Sequence, residues 1–102
     1  VGKWQPVTSV EEQKEIEKLK NEGYDNVWVY EAEPGEIDDE HCHEYDTKLV
    51  ILNGAINITS EIGGAITNVQ YKTGSEVEIP RGRLHSAKVI AEGCRYIIAE
   101  KH

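Results

Sequence analysis

Residues 35–54 read Gly35-Glu-Ile-Asp-Asp-Glu-His41-Cys-His43-Glu-Tyr-Asp-Thr47-Lys-Leu-Val-Ile-Leu-Asn-Gly54. Side chains alternate along an extended chain, so His41 and His43 share one face and Cys42 turns to the other. That is the geometry by which a single strand offers two ligands to a metal ion. Thr47 to Leu52 is a β-branched and aliphatic run leading into Asn53-Gly54, a dipeptide suited to the positive φ angles of a type I′ turn. Ala55 to Ser60 returns from it. The stretch therefore predicts a β-hairpin entered through a His-x-His pair.

The same rhythm extends in both directions. Asn26 to Glu33 reads as a strand closed by Pro34-Gly35, and further strands are expected at Ala65 to Tyr71 after Gly63-Gly64, Ser75 to Ile79 before Pro80, Ser86 to Ile90, and Cys94 to Glu100 after Gly93. About eight short strands at this spacing predict an all-β sandwich or barrel, because antiparallel strands must cover an apolar face and protect their edges. The composition agrees: the apolar 38% is rich in Val and Ile, with neither Phe nor Met. One helix is expected after Ser9, where Ser9-x-x-Glu12 has the form of a capping box, ending at Gly23. Ile16 and Leu19 give it a narrow apolar stripe, and Glu11/Lys14, Glu15/Lys18 and Glu17/Lys20 form solvated pairs. Residues 1–25 are read as a helical extension packed on a barrel of residues 26–102, within a single domain.

A net charge of -8 excludes binding modes in which a basic face meets phosphate, so neither nucleic acid nor an anionic membrane is an expected partner. No apolar run approaches the roughly 20 residues that span a bilayer, and no leader-like segment opens the sequence, which gives a cytoplasmic expectation. Cys42 and Cys94 are expected to be free thiols.

Two spacings now carry more than the His pair alone. Gly35, five residues, His41-Cys-His43, three residues, Thr47, six residues and Gly54 resembles the first motif of the cupin superfamily, G-x5-H-x-H-x3,4-E-x6-G. Gly74, five residues, Pro80-Arg81-Gly82, two residues and His85 resembles the second, G-x5-P-x-G-x2-H, with Val89 where that motif continues to Asn. The resemblance runs from about Trp28 to Glu100. It implies a double-stranded β-helix, a jelly-roll barrel with one metal ion on its inner face, and it implies His41, His43 and His85 as ligands. One position departs: Thr47 stands where the first motif supplies a ligating Glu. Strand alternation sends the neighbouring Glu44 and Asp46 to the opposite face from the histidines unless a bulge returns one of them, so Thr47, a carboxylate or water is left to complete the coordination.

Three neutral imidazoles leave a divalent ion its full charge and at least one open position, the arrangement of a catalytic rather than a closed structural site. An imidazole-only set suits Fe, Zn, Ni or Cu, and loss of the carboxylate argues against Mg, Ca and, more weakly, Mn. Such a site is expected to attract a small anionic molecule. Tyr45, Arg81 and Arg83 are the candidate catalytic side chains: Tyr45 shares the parity of His43, and either arginine is suited to hold a substrate carboxylate. Trp28, Tyr30 and Tyr96 are core or cavity aromatics, Cys42 faces outward, and His102 is expected to be solvated. The leading functional expectation is a metal-dependent dioxygenase. The alternatives are a non-catalytic small-molecule-binding cupin and a sugar or sugar-acid isomerase or epimerase. The edge strands of a small barrel add the expectation of a homodimer.

Overall fold

The computed structural model describes residues 3–102. Its elements in chain order are β1 (Lys3–Gln5), α1 (Val10–Asn21), β2 (Asn26–Ala32), β3 (Ile37–His41), β4 (Asp46–Ile62), β5 (Ala65–Lys72), β6 (Glu76–Ile79) and β7 (His85–Lys101). The two 17-residue strands β4 and β7 run antiparallel along nearly their whole length and form the spine. The first half of β4 pairs with β6, and the second half of β7 pairs with β2, which in turn carries β1. Beyond the bends, the second half of β4 pairs with β5 and the first half of β7 with β3. Both long strands thereby pass from one sheet into the other, which is jelly-roll connectivity.

These bends correct the hairpin expectation. Asn53-Gly54 is not a turn; β4 continues through it, and its register against β7 shifts between Ile51 and Asn53 and again between Gly54 and Ile56. Gly54, at φ +99°, supplies the positive φ of a bulge rather than of a hairpin. Gly93, at φ +85°, does the same on β7, so Ser86–Ile90 and Cys94–Glu100 belong to one strand. The true hairpin lies at Gly63-Gly64, joining β4 to β5. β1 and β3 had no strand signal of their own, and β1 places a strand within the first 25 residues as well as the helix.

Alternation along β4, β7 and β2 sorts the core into two layers. Leu49, Ile51, Ile56, Ile58, Val77, Ile79, Val89, Cys94 and Tyr96 pack between the sheets. Val29, Val50, Ile97 and Ala99 face the other way and receive Ile16 and Leu19 from α1, so the helix covers the outside of one sheet. The Ser9 hydroxyl caps the helix by accepting from Glu12 N. The other half of the expected capping box is not formed with Ser9: the Glu12 carboxylate accepts from Thr8 N and Thr8 Oγ1 and pairs with Arg95 of β7 at 3.0 Å. Among the described residues no helix is long and apolar enough to cross a membrane.

Candidate metal centre

His41 closes β3, His43 lies in the following loop, and His85 opens β7, paired in register with His41. The two histidines of the His-x-His pair thus do not sit on one continuous strand, yet all three rings converge. Their ligand atoms lie within 4.8 Å of one another. Ring centroids are 4.3 Å apart for His41/His85, 4.6 Å for His41/His43 and 5.3 Å for His43/His85.

Backbone carbonyls orient two of the rings. His85 Nδ1 donates to Arg83 O at 2.9 Å, and His41 Nδ1 donates to Asp39 O. A carbonyl can only accept, so both rings carry a proton on Nδ1, the outer hydrogen bond that fixes the tautomer of a ligating histidine. His41 Nε2 and His43 Nε2 stand 3.1 Å apart. Two nitrogens about 2.0–2.1 Å from a shared ion are separated by about 2.9 Å at a right angle and about 3.3 Å at the tetrahedral angle. The observed separation falls between these, so His41 and His43 are spaced as two ligands of one divalent transition ion, with the His85 donor within 4.8 Å of them. Burial pushes the basicity of His43 and His85 below that of free imidazole, and the nearby His41 ring adds to this in both. Both shifts favour the neutral, ligating form.

The histidines border a cavity of about 260 Å³ whose walls also include Trp28, Tyr45, Thr47, Tyr96, Asp38 and Glu100. Tyr45 stacks on His43, with centroids 4.7 Å apart and planes at 16°, and burial together with the Glu100 carboxylate pushes its hydroxyl pKa up. Thr47 is where the parity of β4 places it, on the cavity face, and its Oγ1 is fully buried with no hydrogen-bond partner. Glu44 and Asp46 do not border the cavity; Asp46 accepts from Arg81 N instead. Arg81 and Arg83 are likewise outside the lining, and among the described residues no Lys or Arg belongs to it. Cys42 is exposed, Cys94 is buried, and both are free thiols. His102 is only half exposed: its Nδ1 lies 3.1 Å from Asp25 Oδ2, and its ring rests 4.6 Å from that of Tyr45. A larger groove of about 540 Å³ crosses Ile37, Asp39, Asn57 and Lys88, and it gathers no comparable donor set.

Asp38 and Glu100 are the site residues that sequence reading passed over. Glu100 is the β7 partner of Thr47 in the ladder, so the two side chains share the inner face. On β7 both faces are apolar over Tyr96–Ala99, and alternation there gives no clue to which parity faces inward.

No family model matches the chain. Its backbone superposes on oxalate decarboxylase from Bacillus subtilis, a protein with Mn(II) centres, with a TM-score of 0.70 at 18% identity, covering 84% of this chain and 23% of that one. It superposes on the CENP-C cupin domain of Drosophila melanogaster with a TM-score of 0.67 at 16% identity, covering 74% and 56%. The chain has the cupin fold. Over 84 residues the chain is 33% identical to nitrosourea synthase from Streptomyces achromogenes subsp. streptozoticus. That alignment covers 81% of the chain but only 17% of the relative's length.

Proposed function

We propose that this cupin holds one divalent transition ion on His41, His43 and His85 and uses it to oxidise a small molecule bound in the cavity above. The observation that carries the reading is the 3.1 Å separation of two Nε2 atoms, with the Nδ1–H groups of His41 and His85 turned to backbone carbonyls. When bound, such an ion supplies Lewis acidity and, if it is iron, redox capacity toward dioxygen. The chain's own residues do the rest. Burial favours the neutral form of His43 and His85, Tyr45 buttresses His43, and Leu49, Ile56, Ile79 and Ile98 keep the cavity floor apolar.

Thr47 in place of a carboxylate leaves a coordination position for an oxygen or sulfur donor of the ligand. Likeness to a segment of a nitrosourea synthase supports oxidation over isomerisation, since a nitroso nitrogen stands at a higher oxidation level than an amine or amide nitrogen. Iron is accordingly favoured within the set Fe, Zn, Ni and Cu. The exposed side chains Ile62 and Val69, on one face of the β4–β5 hairpin, support a homodimer as part of the same proposal.

Elemental analysis of freshly purified protein tests the first claim: about one ion per chain is expected, with loss in His43→Ala, and a stoichiometry near zero sinks it. Oxygen uptake by the Fe(II)-loaded protein across a panel of small thiols, diketones and amines tests the second. A compound that raises thermal stability without being consumed, and without oxygen uptake by any other, would favour a binding module instead.

A further inference from the structure

Charge inside the cavity leads to the class of ligand. Three neutral imidazoles alone suggest an anion, but the walls carry two carboxylates, Glu100 within and Asp38 at the exposed rim, and, among the described residues, no Lys or Arg. These two carboxylates offset part of the charge of a dication bound on the histidines, which weakens the pull of the cavity on an added anion. Glu100 is a built part of the wall. Its side chain is 14% exposed, and its Oε1 accepts from Asn26 Nδ2 at 3.2 Å and lies 3.8 Å from His102 Nε2. Beside it on the neighbouring strand, the Thr47 hydroxyl is buried with no partner in the protein, which points to a ligand atom as its partner. Trp28, Tyr45 and Tyr96 add aromatic surface of the kind that favours a cation.

We propose that the cavity selects a small organic cation, an ammonium or amidinium group held by the Glu100 carboxylate, with the Thr47 hydroxyl bonding the adjoining polar atom. This rests on the metal reading only for the other end of the ligand, the atom that meets the ion. Glu100 is thus a specificity-determining residue, and Asp38 draws the cation in at the rim.

Isothermal titration of the zinc-loaded chain, which is redox-inert, with propylammonium, propionate and propionamide tests this with one tail and three head groups. Propylammonium is expected to bind about tenfold or more tighter than propionate, and Glu100→Gln to erase that preference at unchanged zinc stoichiometry. Equal or tighter binding of propionate overturns the proposal. So does failure of propylammonium to bind below about 10 mM, or an unchanged preference in the variant. The wild-type comparison stands even if the variant folds poorly. Repeating the titration after chelation separates the two readings: without a dication the preference for ammonium is expected to widen. Zinc stoichiometry near zero would remove the metal reading and leave the Glu100-dependent preference to be judged alone.

Discussion

Gly54 of β4 lies directly against the Gly93 carbonyl of β7, at the point where both long strands bend from one sheet into the other. A β-carbon on Gly54 would press into that carbonyl oxygen and stand 3.0 Å from Cys94 Cα, and the backbone there is at φ +99°. Gly54→Ala therefore combines a left-handed strain of about 1–2 kcal/mol with a backbone clash. A loss of about 3 kcal/mol is expected in urea unfolding. Gly74→Ala, also at positive φ but with open space around it, is expected to lose only the strain. Equal losses in the two variants would show that the close approach carries no energy.

That contact also explains what the sequence hid. Asn53-Gly54 carries local turn chemistry, and nothing local says whether a positive φ closes a hairpin or opens a bulge; the answer lies 39 residues away at Gly93. The strand runs and the helix cap at Ser9 were legible because each depends on short-range alternation or spacing, whereas the three histidines came together only through the resemblance of two separated motifs to the cupin pattern. Glu100 and Asp38 were not legible, since their place at the site follows from sheet order. The Thr47–Glu100 pairing exists only once β4 and β7 lie side by side.

Glu12 and Arg95 tie the helix to β7, and their pairing sets a pH dependence. The Arg95 hydrogen bond holds the Glu12 carboxyl below its ordinary value of 4.5, against an opposing burial effect. A carboxylate with a depressed folded pKa contributes stability that is full above the unfolded value and lost as pH falls through the folded one. Glu12→Gln is expected to cost about 2 kcal/mol near pH 7. The gap from wild type should narrow below about pH 4.5. A gap independent of pH across that range would remove the ion pair as its cause.

The two thiols differ in access. Cys42 is exposed between two site histidines, whereas Cys94 is buried in the barrel core and burial pushes its thiol up to about 11. Thiolate is the reactive form, so a disulfide reagent at pH 8 is expected to label one thiol rapidly in the folded protein and two in denaturant. Cys42→Ser should abolish the rapid phase. Rapid labelling of both thiols in the native chain would mean that the β4–β7 bend opens readily.

Thr47 joins the fold to the site, and two substitutions there should move in opposite directions. Its hydroxyl is buried without a partner, so Thr47→Val removes an unsatisfied group at nearly constant shape. The metal-free protein is expected to gain up to about 1 kcal/mol, with metal stoichiometry unchanged. Thr47→Glu places a carboxylate in the same wall beside Glu100, which costs stability in the metal-free protein through burial and like-charge repulsion. A divalent ion on the histidines offsets that charge. The rise in Tm on adding Mn(II) or Fe(II) should then be larger in Thr47→Glu than in wild type, while the position for an exogenous ligand closes. A tenfold gain in metal affinity corresponds to about 1.4 kcal/mol of added stabilisation at saturation. Calorimetry with and without chelator measures both effects. If Thr47→Glu is as stable as wild type without metal and gains no more with it, the side chain at position 47 does not face the ion, and the open-site reading fails with it.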